Sequence, residues 1–180
     1  HNSMEGTEEA FDTIGRFLSS HGVAAYLPTT VTAPMEMTLR ALEGMARQIE
    51  RAAGASGDAV TLRGAKPLGI HLEGPFLSHA KRGVHPPEYL LDPTIELLQR
   101  FWEAARGHIV LVTVAPELPG AIPFIQEAVR LGIRVSLGHS NATTQEAEAG
   151  VAAGATSATH TFNAMRALDH RQPALLGVVL

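Results

Sequence analysis

Short apolar runs alternate with helix-period segments along the whole chain, and this alternation constrains the fold more than any other feature. Six runs have the composition of buried strands: GVAAYLPT, KPLGIHLEGPF, HIVLVTVAPE, RVSLGHS, ATSATHTF and ALLGVVL. The segments between them repeat apolar residues at helical spacing and mostly end in glycine, a common helix stop. Strand and helix in repeated succession predict parallel βαβ units of an α/β fold.

The predicted helices carry their own start and stop signals. In TEEAFDTIGRFLSSHG, the apolar residues Phe11, Ile14 and Leu18 share a face, while Thr7 is the expected N-cap and Gly22 the expected stop. The same reasoning predicts helices over APMEMTLRALEGMARQIERAAG, TIELLQRFWEAARG, AIPFIQEAVRLG and TTQEAEAGVAAG. No fixed-period repeat or linker interrupts this pattern, so we expect a single domain.

Composition excludes several classes of protein. The chain has 180 residues, is 45% hydrophobic and carries a formal net charge of -4, so it offers no basic surface for nucleic acid or an anionic membrane. No apolar run reaches the roughly 20 residues that span a bilayer, and the N-terminus has no signal-peptide pattern. Cysteine is absent, which fits a reducing compartment and leaves histidine and carboxylates as metal ligands. We therefore expect a cytoplasmic protein.

Polar residues at strand ends favour a barrel over a doubly wound sheet. Alternation places Ile70 and Leu72 on one face of a strand and His71 and Glu73 on the other. A phosphate-binding doubly wound fold would show GxGxxG or GxxxxGK[ST], and neither occurs. In a (β/α)8 TIM-type barrel, the C-terminal ends of the strands converge on one mouth. The sequence predicts such a barrel, with about six of its eight β/α units in this chain.

Three residues at these strand ends could form a metal site. The alternation puts His139 on the same face as Val135 and Leu137, and His160 ends the next strand-like run. Taken singly, Glu73, His139 and His160 are more often core or solvated residues. Taken together at one barrel mouth, two imidazoles and a carboxylate favour zinc or ferrous iron, with a remaining position for water or substrate.

The ordered motifs HLEGPF, KRGVHP, VTVAPE, SLGHSNAT, HTFNAM and HRQP resemble the N-acetylglucosamine-6-phosphate deacetylases of the amidohydrolase superfamily. The resemblance covers essentially the whole chain. It implies that Glu73, His139 and His160 bind the catalytic divalent metal, zinc in preference to iron or another ion. It also implies the substrate contacts Val84, His85, Asn163, Ala164 and Arg171.

Individual roles follow from that resemblance. Arg171 would hold a phosphate, with further N–H donors from Asn163 and the local backbone. His85 would donate to the amide carbonyl or to a sugar oxygen, unless it is a solvated loop residue. His71 is a rival ligand that we expect in the core instead, and Glu117 would orient a ligating histidine or cap a turn.

The resemblance also implies parts that this chain lacks. The family carries an HxHG motif on its first barrel strand, a catalytic aspartate on a later strand and a small β domain, and none of these occurs here. The acid/base aspartate is expected beyond Leu180, so residues 1–180 would be a partial barrel without a proton-transfer residue. We expect this segment alone to be inactive.

The resulting functional hypothesis is metal-dependent hydrolysis of the N-acetyl group of N-acetylglucosamine 6-phosphate, giving glucosamine 6-phosphate and acetate, by a homodimer. Two alternatives stay open at this point. One is another amidohydrolase-type barrel that acts on a cyclic amide. The other is a noncatalytic fragment that binds a sugar phosphate.

Overall fold

A computed structural model describes residues 1–54 and 64–180 of the chain, and every strand pair in these ranges is parallel. The strands are β1 (Ala25–Tyr26), β2 (Lys66–Pro67), β3 (Ile70–Glu73), β4 (Ile109–Val114), β5 (Arg134–Leu137) and β6 (Ser157–Ala158). The helices are α1 (Glu8–Ser20), α2 (Met35–Gly54), α3 (Ile95–Ala104), α4 (Ala121–Arg130), α5 (Thr144–Ala152) and α6 (Ala174–Val179).

The strands follow one another in chain order. Strands β3, β4, β5 and β6 form one sheet in that sequence, and β1 pairs with β2 in a second, two-stranded sheet. A bridge between Thr29 and His71 joins the end of the β1 segment to β3. A doubly wound sheet would reverse its strand order at a switch point. The unbroken order is instead that of a barrel wall.

The two faces of the main sheet differ in chemistry. Leu72, Val112 and Val135 are fully buried in the apolar core. Around them, the ring centroids of Phe76 and Phe124 lie 4.7 Å apart. Burying a phenylalanine side chain stabilises the fold by about 1.5–3 kcal/mol. The opposite, inner face carries hydroxyl groups, with Thr113 and Thr159 joined by a 2.7 Å hydrogen bond. The sheet therefore has an apolar helix-covered side and a polar side.

The five helices predicted from the sequence are confirmed as α1 to α5. Thr7 caps α1 as expected, because its hydroxyl oxygen accepts a hydrogen bond from the Ala10 N–H at 3.3 Å. Helix α5 begins with a reciprocal capping box, in which Thr143 and Glu146 each accept from the other's backbone N–H. None of the helices in the described ranges is long and apolar enough to cross a bilayer.

The prediction of a strand over ALLGVVL is wrong, since these residues form α6. A short apolar run does not by itself distinguish a buried strand from a buried helix. Leu175 and Leu176 of this helix are buried in the same core as α5. Pro173 at its N-cap has φ of −62° and ψ of −16°, helical angles that suit the fixed φ of proline.

The predicted strand KPLGIHLEGPF is divided into β2 and β3. Strand β2 pairs with β1, whereas β3 pairs with β4. At Gly69, between them, a Cβ would lie 2.5 Å from Cγ1 of Val110, so only glycine fits this close passage of the chain. The predicted runs around β1 and β6 are also shorter in the structure, at two residues each.

Candidate metal centre

Glu73, His139 and His160 meet at the C-terminal ends of β3, β5 and β6. Oε1 of Glu73 lies 3.1 Å from Nε2 of His139 and 3.2 Å from Nε2 of His160, and the two Nε2 atoms are 3.0 Å apart. Donor atoms bound tetrahedrally at about 2.0–2.1 Å from one zinc ion would be separated by about 3.3 Å. The three donors are therefore spaced as ligands of a single ion, in a cluster suited to hold a metal.

The two histidines reach this cluster by a backbone route that strand alternation does not predict. Val135 and Leu137 face the apolar core, so His139 does not share their direction, and that register prediction is wrong. The reason is a left-handed backbone at both histidines, with φ of 47° at His139 and 35° at His160. Non-glycine residues seldom adopt this conformation, and it concentrates at functional sites.

Backbone carbonyls fix the orientation of both imidazole rings. Nδ1 of His139 donates to the Lys81 carbonyl at 2.8 Å, and Nδ1 of His160 donates to the Asn163 carbonyl at 3.0 Å. In the neutral rings, each Nε2 then presents a lone pair to the carboxylate of Glu73. Three electron-rich atoms would repel one another at these distances, and a bound cation turns that repulsion into attraction. The donor set and its carbonyl supports fit a divalent metal.

The protonation states of Glu73 and His139 depend on each other. The hydrogen bond with His139 lowers the pKa of Glu73 to about 2, although burial acts in the opposite direction. Burial acts to lower the pKa of His139. The hydrogen bond with Glu73, the hydrogen bond with the Lys81 carbonyl and the charge of Glu73 together outweigh burial and raise the pKa of that imidazole. Glu73 is thus an anion at neutral pH, and in the metal-free protein His139 tends to hold the proton that a metal would displace.

His71 lies outside the cluster. Its Nε2 pairs with the hydroxyl of Thr113 at 2.8 Å and its Nδ1 with the hydroxyl of Thr29 at 3.3 Å. Burial lowers the pKa of His71, which favours a neutral ring. Both nitrogens are therefore engaged in a buried hydroxyl network on the inner face of the sheet, as expected for a core residue.

A cavity of about 520 Å³ opens above the three ligands. Four of the sequence-predicted substrate contacts line it, namely Val84, His85, Asn163 and Ala164. Arg171 is not part of this lining. Its side chain is exposed, and its backbone N–H donates to Oδ1 of Asp169 within the same surface segment.

Glu117 acts one residue away from the ligand His139. Its carboxylate accepts hydrogen bonds from the Ser140 hydroxyl at 2.7 Å and from the Asn141 N–H at 2.6 Å. It makes no hydrogen bond to His139 itself. Of the two roles predicted for Glu117, the structure shows the cap of a turn, and that turn follows the metal ligand directly.

Two contributors to the site were missed by sequence reasoning. The carbonyl of Lys81 holds His139, and Thr32 contacts His85 through both its N–H and its hydroxyl. A backbone carbonyl leaves no trace in residue type. Thr32 had a weak signal, since it follows a strand-like run, where binding residues tend to sit.

Comparison with known proteins identifies the family of this chain. No family model matches it. It is 34% identical to the N-acetylglucosamine-6-phosphate deacetylase of Vibrio furnissii over 98% of the chain, and 42% identical to the enzyme of the same name from Mus musculus over 92% of the chain. The chain belongs to the N-acetylglucosamine-6-phosphate deacetylase family. It spans about two fifths of these relatives, 42% and 39% of their respective lengths.

Solved structures agree with that membership. The N-acetyl-D-glucosamine-6-phosphate deacetylase of Mycobacterium smegmatis superposes with a TM-score of 0.87 at 35% identity, over 97% of this chain and 43% of that one. The enzyme from Thermotoga maritima superposes with a TM-score of 0.79 at 28% identity, over 93% of this chain and 42% of that one. The predicted TIM-type α/β class is confirmed, and this chain holds an incomplete segment of that fold.

Proposed function

We propose that the protein containing this chain is a metal-dependent deacetylase that hydrolyses the N-acetyl group of N-acetylglucosamine 6-phosphate, producing glucosamine 6-phosphate and acetate. One observation carries the proposal: three ligand atoms converge within 3.0–3.2 Å at the floor of an open cavity. The relatives' names support the substrate, as does a solved variant of the Mycobacterium smegmatis enzyme in complex with N-acetyl-D-glucosamine-6-phosphate.

We assign the ligand roles to Glu73, His139 and His160, with zinc as the preferred ion. A divalent ion held there would supply Lewis-acid chemistry, lowering the pKa of a water and polarising the acyl carbonyl. The chain's own contribution is orientation: the carbonyls of Lys81 and Asn163 keep both Nε2 atoms aimed at the site. The carboxylate of Glu73 supplies the negative charge that favours a cation.

Substrate orientation falls to the cavity walls. Asn163 and Ala164 line the cavity beside the ligands, where an amide and backbone groups could hydrogen-bond sugar hydroxyls or phosphate oxygens. Val84 lies at the rim and is 90% exposed, so it is free to pack against a bound sugar. For Arg171 we retain the phosphate-binding role, which requires its surface segment to lie beside the phosphate in the complex.

Proton transfer to the leaving amine is assigned to an aspartate outside this chain. General acid catalysis contributes about 10²- to 10⁴-fold, so residues 1–180 alone would retain little activity even when loaded with metal. We further propose that the full protein also contains the remaining barrel strands and a small β domain. We propose separately that it forms a homodimer. We also propose a cytoplasmic location, because sugar phosphates are charged and cross membranes poorly.

A second hexosamine substrate is favoured by one comparison. The N-acetylgalactosamine-6-phosphate deacetylase of Escherichia coli O157:H7 is also 34% identical to this chain, over 98% of it and 45% of its own length. That identity equals the one found for the Vibrio furnissii enzyme. The two substrates differ only at the sugar's C4 hydroxyl, so the metal chemistry is common to both.

The test is acetate release by the full-length protein, before and after metal removal, from three compounds. These are N-acetylglucosamine 6-phosphate, N-acetylgalactosamine 6-phosphate and unphosphorylated N-acetylglucosamine. We expect metal-dependent turnover with the highest kcat/KM on the first. Higher kcat/KM on the second would assign the galactosamine specificity. Turnover that survives complete metal removal would refute the proposal.

A further inference from the structure

Thr32 and His85 form a buried pair beside the metal ligands. The backbone N–H of Thr32 donates to Nδ1 of His85 at 3.2 Å, and the Thr32 hydroxyl lies 2.8 Å from the same nitrogen. Each residue is only 4% exposed. Two groups of one residue thus converge on a single ring nitrogen, away from bulk water.

This geometry selects one tautomer of His85. A backbone N–H can only donate, so the nitrogen that faces it must carry a lone pair. A proton on Nδ1 would point at the N–H of Thr32 and would leave two buried donors opposed. The neutral ring therefore carries its proton on Nε2.

The free end of the ring faces the cavity. Within residues 1–54 and 64–180, Nε2 of His85 has no hydrogen-bond partner. It does not belong to the fully buried polar atoms that lack a partner, so this nitrogen keeps some accessible surface. His85 lines the same cavity as Glu73, His139 and His160, and its ring meets that of His139 edge-on at 4.8 Å between centroids. An N–H on Nε2 is thus available to a ligand in that cavity.

We propose that Thr32 is a positioning residue that locks His85 in the Nε2–H tautomer, which directs a hydrogen-bond donor into the cavity beside the metal ligands. The identity of the acceptor rests on the proposed function. The lock itself rests only on the contacts between Thr32 and His85.

Gly74 shows that the surroundings are shaped for this contact. Its φ is +83°, a conformation that favours glycine, and a Cβ there would collide with Oγ1 of Thr32. The same Cβ would lie 3.2 Å from Nδ1 of His85. A side chain directly after Glu73 would therefore separate the pair, which ties the glycine of HLEGP to the orientation of His85.

The experiment uses the full-length, zinc-loaded protein with ¹⁵N-labelled histidine. The signals of His85 are assigned by their loss in His85→Gln. We expect wild-type His85 to show a protonated Nε2 and an unprotonated, hydrogen-bonded Nδ1. A protonated Nδ1 would overturn the proposal. Expected ring signals without any deacetylase activity would leave the lock standing and refute the proposed function instead.

Variants then test whether the lock matters. Thr32→Val keeps the N–H but removes the hydroxyl, so the Nδ1 resonance should move towards that of an unbonded nitrogen while Nε2 stays protonated. With one hydrogen bond lost, kcat should fall about fivefold with little change in KM. Thr32→Ser retains both donors and should behave as wild type.

Thr38→Val is the matched control, because Thr38 is another 4% exposed threonine, and its hydroxyl donates to the backbone carbonyls of residues 33 and 34. It should leave the His85 signals and kcat unchanged. If Thr32→Val resembles Thr38→Val in both the Nδ1 resonance and kcat, Thr32 has no positioning role.

Discussion

Removing the carboxylate of Glu117 should loosen the turn that carries a metal ligand. In the structure this carboxylate accepts from the Ser140 hydroxyl and from the Asn141 N–H, at 2.7 and 2.6 Å. The backbone of Ser140 in turn bridges to the β6 loop, with its N–H donating to Ala164 and its carbonyl accepting from Arg166. Glu117 therefore supports both loops that flank the cluster.

The magnitude follows from those two bonds. Hydrogen bonds to a charged group contribute about 1.5–3 kcal/mol each, and the lower value applies here because Asn141 is exposed and water can replace its partner. Glu117→Ala should lower the free energy of unfolding by about 3 kcal/mol. Glu117→Gln keeps one acceptor for the Asn141 N–H and should cost about 1 kcal/mol.

Urea unfolding of the metal-free, full-length protein, followed by circular dichroism, measures both variants. Glu148→Ala is the control, since Glu148 is an exposed residue on α5 and its removal should change stability by less than about 0.5 kcal/mol. Equal stability of Glu117→Ala and Glu148→Ala would refute the reasoning, as would a Glu117→Gln variant that is no more stable than Glu117→Ala.

Three further outcomes are expected. The pKa of His139 is raised despite burial, through its hydrogen bonds with Glu73 and the Lys81 carbonyl and the charge of Glu73, so zinc binding at pH 6 should release a proton and affinity should fall as pH drops further. Calorimetry in two buffers of different ionisation enthalpy measures the number of protons released, and zero release would contradict this prediction. Burial raises the pKa of Tyr26 to about 12, and its hydroxyl is buried without a partner in the described residues. Its unfolded pKa is about 10, so stability should fall by about 2 kcal/mol between pH 10 and 12, a loss that Tyr26→Phe should not show in alkaline unfolding curves. Gly74→Ala should unfold at least about 1 kcal/mol more easily than wild type and should lose the Nδ1 hydrogen bond of His85 by NMR, whereas wild-type stability would contradict the collision with Thr32.

Sequence patterns predicted the helices well because each carries a local signal. In α1, for example, the hydroxyl of Thr7 caps the first turn and the apolar residues that follow share one face. Helix α6 was missed because its six residues are too few to show a period. The division of KPLGIHLEGPF was also missed, because β2 pairs with β1 and β3 pairs with β4, and these pairings join distant parts of the chain.

At the candidate site, residue types were predictable and directions were not. Glu73, His139 and His160 stood out as polar residues after apolar runs, and the structure brings all three together. The alternation pattern nevertheless predicted the wrong face of the sheet for His139, because the left-handed backbone at that residue changes the direction of its side chain. Thr32 and the Lys81 carbonyl act through tertiary contacts, which the sequence does not show, although the position of Thr32 after a strand-like run was a weak signal.

The most direct test of the metal centre is an anomalous difference map at the zinc edge, from crystals of the full-length protein grown with zinc. We predict a peak about 2.0–2.2 Å from Oε1 of Glu73 and from Nε2 of both His139 and His160. A fully occupied zinc peak elsewhere, with none between these three atoms, would contradict the assignment.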